Sequence, residues 1–453
     1  MLALLILWSG AGCASGGGVL ELPSGAETDS SRSSDVPDID PGGVYSAAGM
    51  LVRGSPLGFI GDVSFLGAGA GESTVVLATM ALANRSLVFR TDGALQRAGY
   101  TVSLAFSREG SDSAVVRAES HETVRVTSPR ETSASEPRIV FQRFVRLPPG
   151  SYTMSLMVQD DHAPTEGALR VPVVVPRLAA GSLSSVVPVF GATPRSRADS
   201  MPALIANPSA TVVFGRDSLA VVYLEGYALA AGAHLSIVVL DDAREEVLRD
   251  SVVLEESQPV AGLVRRIPVA RIGPGRFTIA ASLAGTADTV STPFFVSFGE
   301  GIGILSFDEM LDRLRYFATP QQLHALGDAP RAGRAAAWTA FLKETDLVTG
   351  TAEHEGLRKY LERIASANRR FIGEGVDGWL TDRGKVYVAL GEPDRVLVDD
   401  GRETGLRATT QLWEYEDLGV RLVFVSDIGF DRWRLTPASE LDFERALQRK
   451  RAH

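Results

Sequence analysis

Hydrophobic residues recur at two different spacings along this chain of 453 residues, and the change of spacing divides the chain into two parts. From about residue 45 to 298, apolar and polar residues alternate in short runs separated by glycine, proline and polar turns, as in half-buried strands. From 303 to 371 apolar residues recur at helical spacing, and short strand-like runs follow. The pattern predicts a multidomain fold class: two tandem all-β, immunoglobulin-like sandwich modules, then an α+β domain with helices before an antiparallel meander. The predicted bounds are 45–182, 183–300 and 303–446.

A local repeat links the two predicted sandwich modules. Arg146-Leu147-Pro148-Pro149-Gly150-Ser151-Tyr152-Thr153 corresponds to Arg271-Ile272-Gly273-Pro274-Gly275-Arg276-Phe277-Thr278. In each copy a Pro-Gly turn leads into a strand that opens with an aromatic residue, which we expect in the core. We therefore predict that both modules share one topology. A tyrosine-corner bond is open to Tyr152 but not to Phe277, which has no hydroxyl.

Start signals place the helices and strands of the third domain. Ser306 with Glu309, and Thr319 with Gln322, are capping boxes. Further helices are expected at about Pro330–Glu344, from near Thr351, and, as a short one, from near Pro437. The strands of the meander are predicted at Lys385–Leu390, Arg395–Val398, Gln411–Tyr415, Val420–Val425 and Arg432–Leu435.

The N-terminus has the features of an exported protein. Leu2 to Trp8 is an apolar core too short to span a bilayer, and small residues lead from it to Cys13, the only cysteine. The segment 1–13 resembles a lipoprotein signal peptide, which implies acylation of Cys13 and, with Ala14 next, sorting to the outer membrane. The alternative is an ordinary cleaved signal with an incidental cysteine. Residues 14–44 are rich in Gly, Ser, Asp and Pro and are predicted to form a flexible tether.

The stretch from Gly378 to Asp394 joins the predicted helices to the meander. Thr381-Asp382-Arg383-Gly384 has the composition of a type I turn, and Gly391-Glu392-Pro393-Asp394 ends the strand predicted after it. One interpretation is structural: Trp379 plugs a small core and Asp382 caps the turn. The other is a polar site beside an aromatic platform, built from Asp382, Arg383 and Asp394.

The same residues carry a family resemblance. Gly378-Trp379-Leu380-Thr381-Asp382 resembles the signature of the GWxTD domain family of bacterial envelope proteins, and matching residues follow at Gly384, Gly391, Pro393, Asp394, Trp413 and Tyr415. The resemblance covers roughly the last third of the chain. It implies an exported, often lipid-anchored protein with β-domains ahead of the signature domain, and it implies no activity.

The net charge and the residue types limit the classes of function that the sequence is compatible with. A formal net charge of −10 argues against nucleic-acid binding. None of the six histidines lies at metal-ligand spacing, no nucleophile elbow or phosphate loop is present, and neither a metal nor a cofactor is expected. We therefore expect a non-enzymatic scaffold or binding module whose partners are a membrane, through the lipid anchor, and other envelope proteins or a surface polysaccharide. The alternative is a carbohydrate- or peptide-active hydrolase that uses Asp382 with Asp394 or Glu414.

Overall fold

The computed structural model describes residues 41–69, 73–111, 113–134, 137–286, 288–298, 304–346, 354–372, 375–399, 408–427 and 432–451. These residues form two compact units, one ending at residue 365 and the other beginning at residue 366. The predicted signal peptide with Cys13, and the predicted tether as far as residue 40, lie outside the described residues.

The first described element is a helix, α1 (Pro41–Ala47), that starts inside the predicted tether. Its Tyr45 is buried: the hydroxyl oxygen lies 3.0 Å from Oγ1 of Thr211, and the ring packs edge-on at 5.2 Å from Phe295. The tether prediction is therefore wrong for residues 41–44. Tyr45 and Met50 belong to the apolar core of the second module, and Val44 and Ala48 pack against it, which holds this turn of helix in place.

The described residues of the first module form nine strands. One sheet has the order β1-β2-β3-β7; in the other, β5 pairs with β4, β6 and β8, and β8 pairs with β9. All pairs are antiparallel. A short helix, α2 (Pro129–Thr132), lies between β6 and β7. The strands are β1 (Leu51–Arg53), β2 (Phe59–Gly67), β3 (Thr74–Ala83), β4 (Arg90–Asp92), β5 (Leu95–Arg108), β6 (Ala114–Val126), β7 (Pro137–Leu147), β8 (Gly150–Asp160) and β9 (Glu166–Val175).

The second module also contains nine strands. Its sheets have the orders β11-β10-β13-β16 and β12-β18-β17-β14-β15, with β12 the one parallel partner among the described strands of this module. A short helix, α3 (Val269–Ile272), precedes β17. The strands are β10 (Val187–Thr193), β11 (Ala203–Ala206), β12 (Thr211–Val213), β13 (Leu219–Leu229), β14 (His234–Leu240), β15 (Glu246–Val253), β16 (Gln258–Pro268), β17 (Gly275–Leu283) and β18 (Thr289–Ser297).

Seven strands of each module share one topology. The three-stranded path β2-β3-β7 corresponds to β10-β13-β16, and the four-stranded path β6-β5-β8-β9 corresponds to β15-β14-β17-β18. The register repeats as well, since Tyr152 pairs with Val173 and Phe277 with Phe294. Both aromatic residues are buried, and the Tyr152 hydroxyl donates to the Pro148 carbonyl at 3.0 Å, a tyrosine corner. The predicted immunoglobulin-like topology is confirmed in both modules.

The two modules share a polar and an apolar core at their junction. The apolar part joins Leu66, Val75 and Leu77 of the first module to Val187, Val189, Leu204, Ala206 and Tyr223 of the second. Beside it, Nε and Nη2 of Arg195 donate to the two carboxylate oxygens of Glu225 at 2.6 and 2.9 Å. Nη2 of Arg195 also donates to the Gly67 carbonyl of β2 at 2.6 Å, and the hydroxyls of Tyr223 and Tyr227 donate to Glu225 at 2.6 Å each. We call these five residues the junction network.

Helices follow the second module, and α6 packs against it. They are α4 (Phe307–Arg313), α5 (Pro320–Gly327), α6 (Arg334–Thr345) and α7 (Glu355–Arg370). Both predicted capping boxes are present, at the starts of α4 and α5. Trp338 of α6 is fully buried with its ring 5.3 Å from that of Phe298. Gly273, at φ +73°, lies under Ala335, and a side chain there would approach the Ala335 Cα at 3.3 Å. Because of these contacts, the first unit ends only within α7.

The second unit holds the rest of α7, two helices and an antiparallel sheet. Its described elements are α8 (Asp382–Leu390), β19 (Arg395–Asp399), β20 (Ala408–Tyr415), β21 (Val420–Asp427), β22 (Trp433–Leu435) and α9 (Pro437–Arg451), and the strands form a meander in chain order. α9 is longer than predicted. Its Lys450 donates to the carbonyls of Ala389 and Leu390 at 2.8 and 3.0 Å, which satisfies the C-terminal end of α8. Among the described helices, none has both the length and the apolar character that a membrane span requires.

Candidate functional site

Two glycines allow the signature stretch to pass between helices. Residues 378–380 form a 3-10 turn shortly before α8, which begins at Asp382. A Cβ atom on Gly378 would lie 2.2 Å from the Ala367 carbonyl oxygen, and one on Gly384 would lie 1.8 Å from the Gly378 carbonyl oxygen. Both distances are far inside van der Waals contact, so backbone packs directly on backbone here.

Thr381 starts α8. Its Oγ1 accepts from the backbone N–H of Gly384 at 3.0 Å, and its hydroxyl donates to the Gly378 carbonyl at 2.8 Å. The predicted turn is thus a helix N-cap, and Thr381 rather than Asp382 is the capping residue. The strand predicted at Lys385–Leu390 is wrong, because these residues continue the helix. All five residues from Val386 to Leu390 are buried, so the run is a helix surrounded by protein rather than an alternating strand.

Trp379 is buried inside the second unit, with about 3% of its surface exposed. Its backbone N–H donates to Oδ1 of Asn368, on α7, at 3.0 Å. The backbone at Trp379 is therefore held by a hydrogen bond to one helix just before the next helix begins. This arrangement supports the plug interpretation of Trp379.

Asp382 connects three elements of the second unit. Its Oδ2 accepts from the backbone N–H of Leu435 in β22 at 2.7 Å, and its Oδ1 lies 3.2 Å from Nζ of Lys385. Nζ of Lys385 also donates to both carboxylate oxygens of Glu440, in α9, at 2.8 and 2.9 Å. Burial opposes the charge on Lys385, but the hydrogen bonds and charges of Glu440 and Asp382 raise its pKa above the usual value.

Arginine and aromatic side chains alternate beside the signature. The guanidinium of Arg383 lies 5.3 Å from the ring centre of Phe371 and 4.9 Å from that of Trp433. Arg370 lies 4.8 Å from the ring centre of Tyr387 and donates to both oxygens of Glu392 at 2.6 and 2.7 Å. Cation–π contacts of this kind stabilise partly buried guanidinium groups. Arginines of the same unit therefore cover these aromatic rings beside the signature.

The remaining signature residues fix the passage from α8 to the sheet. Gly391 has φ +100°, and its carbonyl accepts from the Tyr415 hydroxyl at 3.1 Å. Pro393 lies half-buried in the connection that follows. Oδ2 of Asp394 accepts from the Glu416 backbone N–H at 2.7 Å. Trp413 is buried, with its ring 4.7 Å from that of Phe424.

The structure does not bring the candidate carboxylates together. Asp382 opens α8 and Asp394 follows its end, so a nine-residue helix, about 14 Å long, separates them. Glu414 lies near Asp394, whose backbone N–H donates to the Glu414 carbonyl, but the Glu414 carboxylate pairs with Arg421 at 2.9 Å. Within the described residues, no group of three or more His, Cys, Asp or Glu side chains is arranged to hold a metal ion.

Two cavities of the first unit are small. One, of about 20 Å³, lies between the second module and helices α4 and α6, with Asp241, Arg334 and Trp338 in its wall. The other, of about 10 Å³, lies at the module junction beside Asp62 and Asn207. Each has room for roughly one water molecule. Neither is a pocket for a substrate.

The structure reveals residues that the sequence did not indicate. Leu357 of α7 donates its backbone N–H to Nδ1 of His354 at 3.0 Å, and Nε2 of His354 lies 2.8 Å from Oγ1 of Thr345. His354 thus caps the start of α7. Arg195 and Glu225 of the junction network also escaped notice, since their partners lie far away in the sequence. Of these residues, only His354 has a local signal in the sequence, because a helix cap lies within one turn of the start of its helix.

Comparisons with known proteins add one assignment. No curated protein matches the chain. Three solved structures are similar to parts of it: dimeric latent PorU from Porphyromonas gingivalis (11% identity, TM-score 0.24), trypsin-activated alpha-2-macroglobulin from Escherichia coli (9%, 0.19) and Bifidobacterium dentium beta-glucuronidase complexed with coumarin-3-O-glucuronide (10%, 0.18). These matches cover 55%, 57% and 55% of this chain, which spans 20%, 18% and 48% of the other chains.

The model of one family matches residues 303–421, which include the whole signature stretch. The chain therefore carries a GWxTD domain.

Proposed function

We propose that this chain is a lipid-anchored protein of the bacterial outer membrane that serves as a scaffold or binding module. Its anchor is Cys13, and its partners are other envelope proteins or a surface polysaccharide. The GWxTD domain supports the envelope assignment through the family resemblance, and two sandwich modules ahead of it are typical binding architecture.

The observation that carries the scaffold role is the junction network. A bidentate Arg195–Glu225 pair, capped by two tyrosine hydroxyls and tied to the Gly67 carbonyl, holds two sandwiches in one relative orientation. Binding proteins gain affinity when their surfaces are fixed before a partner arrives, because ordering costs are then already met. A rigid pair of modules presents one composite surface.

The signature residues favour this role over the hydrolase. Asp382 is engaged by Leu435 and Lys385, and Asp394 by Glu416. A general acid or base needs a reachable substrate position. Side chains committed to joining α8 with β22 and β20 serve the fold instead.

The test compares three variants purified from membranes under mild conditions. Glu225→Gln removes the counter-ion of Arg195 from the junction network, Asp382→Asn alters the signature, and Glu246→Gln makes the same change at an exposed pair with Arg249. The scaffold proposal expects envelope partners to co-purify with Asp382→Asn and Glu246→Gln but to be depleted with Glu225→Gln. Hydrolysis of peptides or polysaccharide by the parent chain, abolished by Asp382→Asn, would instead establish the enzyme.

A further inference from the structure

Two buried donors belong to residues that line the cavity between the second module and helices α4 and α6, which we call the α6 cavity. They are Nε1 of Trp338 and Nε of Arg334, and neither atom has a hydrogen-bond partner among the described residues. The two residues are four positions apart on α6 and therefore lie on one face of the helix. A buried donor left without an acceptor is costly, which indicates that the cavity holds one.

Packing fixes the guanidinium of Arg334 in the wall of the α6 cavity. Its Cζ lies 4.0 Å from the ring centre of Phe307, and the Phe307 ring meets the fully buried Trp338 ring edge-on at 6.3 Å. Nη1 of Arg334 lies 3.9 Å from Oδ2 of Asp241, an ion-pair distance that is too long for a hydrogen bond. The cation is therefore positioned by stacking on an aromatic face, which leaves the edge of a guanidinium available to an acceptor.

Asp241 is already engaged by other donors. Its Oδ1 accepts from the backbone N–H groups of Ala243 and Glu245 at 3.0 and 2.9 Å, and its Oδ2 accepts from Nη1 of Arg331. Only 7% of the Asp241 side chain is exposed, so its charge acts mainly on the groups packed around it. One carboxylate thus serves two guanidinium groups, those of Arg331 and Arg334.

The other charged residues of the wall do not neutralise this excess of positive charge. Arg276 brings its own counter-ion, since its Nη2 lies 2.6 Å from Oε2 of Glu309. Asp242 is exposed to solvent, where water screens its charge. Arg334 is also the first residue of α6, and the N-terminal end of a helix adds positive potential. The electrostatics of the α6 cavity therefore favour an anion.

A water molecule suits these donors less well than an anion does. If it accepted from both Trp338 and Arg334, it would have to direct its own hydrogens at further acceptors, and the nearest carboxylate, Asp241, already accepts from three donors. An anion needs donors alone. The volume of about 20 Å³ exceeds the roughly 10–15 Å³ that a water needs, and it is too small for a tetrahedral oxyanion such as sulfate or phosphate.

We propose that the α6 cavity binds one monoatomic anion, a halide such as chloride, which accepts hydrogen bonds from Nε1 of Trp338 and Nε of Arg334. The ion enters beside Arg331 and Arg334, whose side chains are 39% and 21% exposed. Once bound, it neutralises the charge that Asp241 leaves unbalanced and joins α6 to the second module. This inference is independent of the proposed scaffold role.

Chlorine NMR of the purified full chain tests the proposal, because chloride held by a protein relaxes faster than free chloride. We expect line broadening in proportion to protein concentration, and bromide should displace it. Trp338→Phe keeps an aromatic ring but removes the indole N–H, and Arg334→Met keeps the apolar stem but removes the guanidinium. Each should weaken chloride binding by about tenfold or more. The control Arg249→Met, at an exposed arginine that pairs with Glu246, should retain the broadening of the parent.

Thermal unfolding of the parent chain gives a second measurement that requires no variant to fold. An ion that binds only the folded state raises the melting temperature as its concentration rises. The parent should therefore melt at a higher temperature in sodium chloride than in sodium gluconate of equal ionic strength, since gluconate is too large for the cavity. Equal melting in the two salts, or a parent without excess broadening, would mean that water fills the cavity. Broadening that persists in both Trp338→Phe and Arg334→Met would place the ion elsewhere, and each of these results refutes the proposal.

Discussion

Arg195 and Glu225 form a buried two-hydrogen-bond ion pair, with 6% and 0% of their side chains exposed. Glu225 belongs to the second module, while Arg195 reaches back to the Gly67 carbonyl of the first. Every lone-pair direction of this carboxylate is used by a guanidinium or a tyrosine hydroxyl. Loss of either charge would leave the other one buried at the junction without its counter-ion.

Removal of the Glu225 charge should be costly. Glu225→Gln leaves the guanidinium of Arg195 buried without its counter-ion, and we expect the free energy of unfolding to fall by about 3 kcal/mol. Denaturant unfolding measures this change. Glu246→Gln, which interrupts the exposed pair with Arg249, should have no measurable effect, and equal effects of the two variants would contradict the importance of the junction network.

Gly384 should tolerate no side chain. Gly384→Ala places a methyl group 1.8 Å from the Gly378 carbonyl oxygen, so α8 and the 3-10 turn must move apart, at a cost of about 3 kcal/mol. Gly54 is the control, because nothing lies within 4 Å of the corresponding position. Thermal unfolding of the full chain should separate the two variants clearly, and similar melting temperatures would show that the turn is not a backbone contact.

The structural and the ligand-site interpretations of the signature make opposite forecasts for two variants. If the residues hold the fold, Trp379→Ala leaves a cavity and lowers the stability of the second unit by about 3–5 kcal/mol. Asp382→Asn then costs about 1 kcal/mol through its weakened bonds to Leu435 and Lys385. Hydrogen exchange of the α8 amides in the full chain measures both changes. A Trp379→Ala variant with unchanged exchange would defeat the structural interpretation.

Asp62 should make stability depend on pH. Asp62 is half-buried at the module junction, its carboxylate accepts from the Ser64 hydroxyl at 2.8 Å, and burial raises its pKa above the usual value. The folded protein thus holds the proton more tightly than the unfolded chain. The stability contributed by this proton is complete below about pH 3.9, the unfolded value, and is lost as pH rises through the folded pKa.

Asp62→Asn should remove this loss of stability at higher pH. The variant should be more stable than the parent at pH 7, and the difference should shrink to nothing below about pH 4. Denaturant unfolding across this range measures it. A variant less stable than the parent at neutral pH would show that the ionised carboxylate is stabilising.

Cys13 provides the test of the anchor. Cys13→Ser removes the proposed acylation site, so we expect the protein to move from the membrane fraction to the soluble fraction. Unchanged partition would leave the ordinary signal peptide as the correct interpretation, whereas Ala14→Gly, which preserves the cysteine, should retain membrane attachment.

Local signals explain what the sequence could predict. The capping boxes at Ser306 and Thr319 placed α4 and α5 because helix starts depend on residues within one turn. Alternation and the Pro-Gly repeat gave both sandwiches. The same reasoning failed at Lys385–Leu390, where valines favour strands but complete burial allows a helix.

Contacts across the sequence explain what it could not predict. Asp382 binds Leu435, 53 positions away, and Glu225 binds Arg195, 30 positions away. No periodicity or spacing rule connects such pairs, since only the packed fold brings them together. The residue types of the candidate site were visible in the sequence, while their partners were not.

The position of α1 determines which module first bears a force applied to the N-terminal side of the chain. Tyr45 binds Thr211 and Phe295 of the second module, although the chain then continues into the first. A pull on the N-terminal side, such as a membrane anchor exerts, therefore loads the second module first. The first module bears no force until the contacts of Tyr45 break. The force then acts on β1, which is only three residues long. Release of α1 should therefore be the first extension step in a single-molecule pulling experiment.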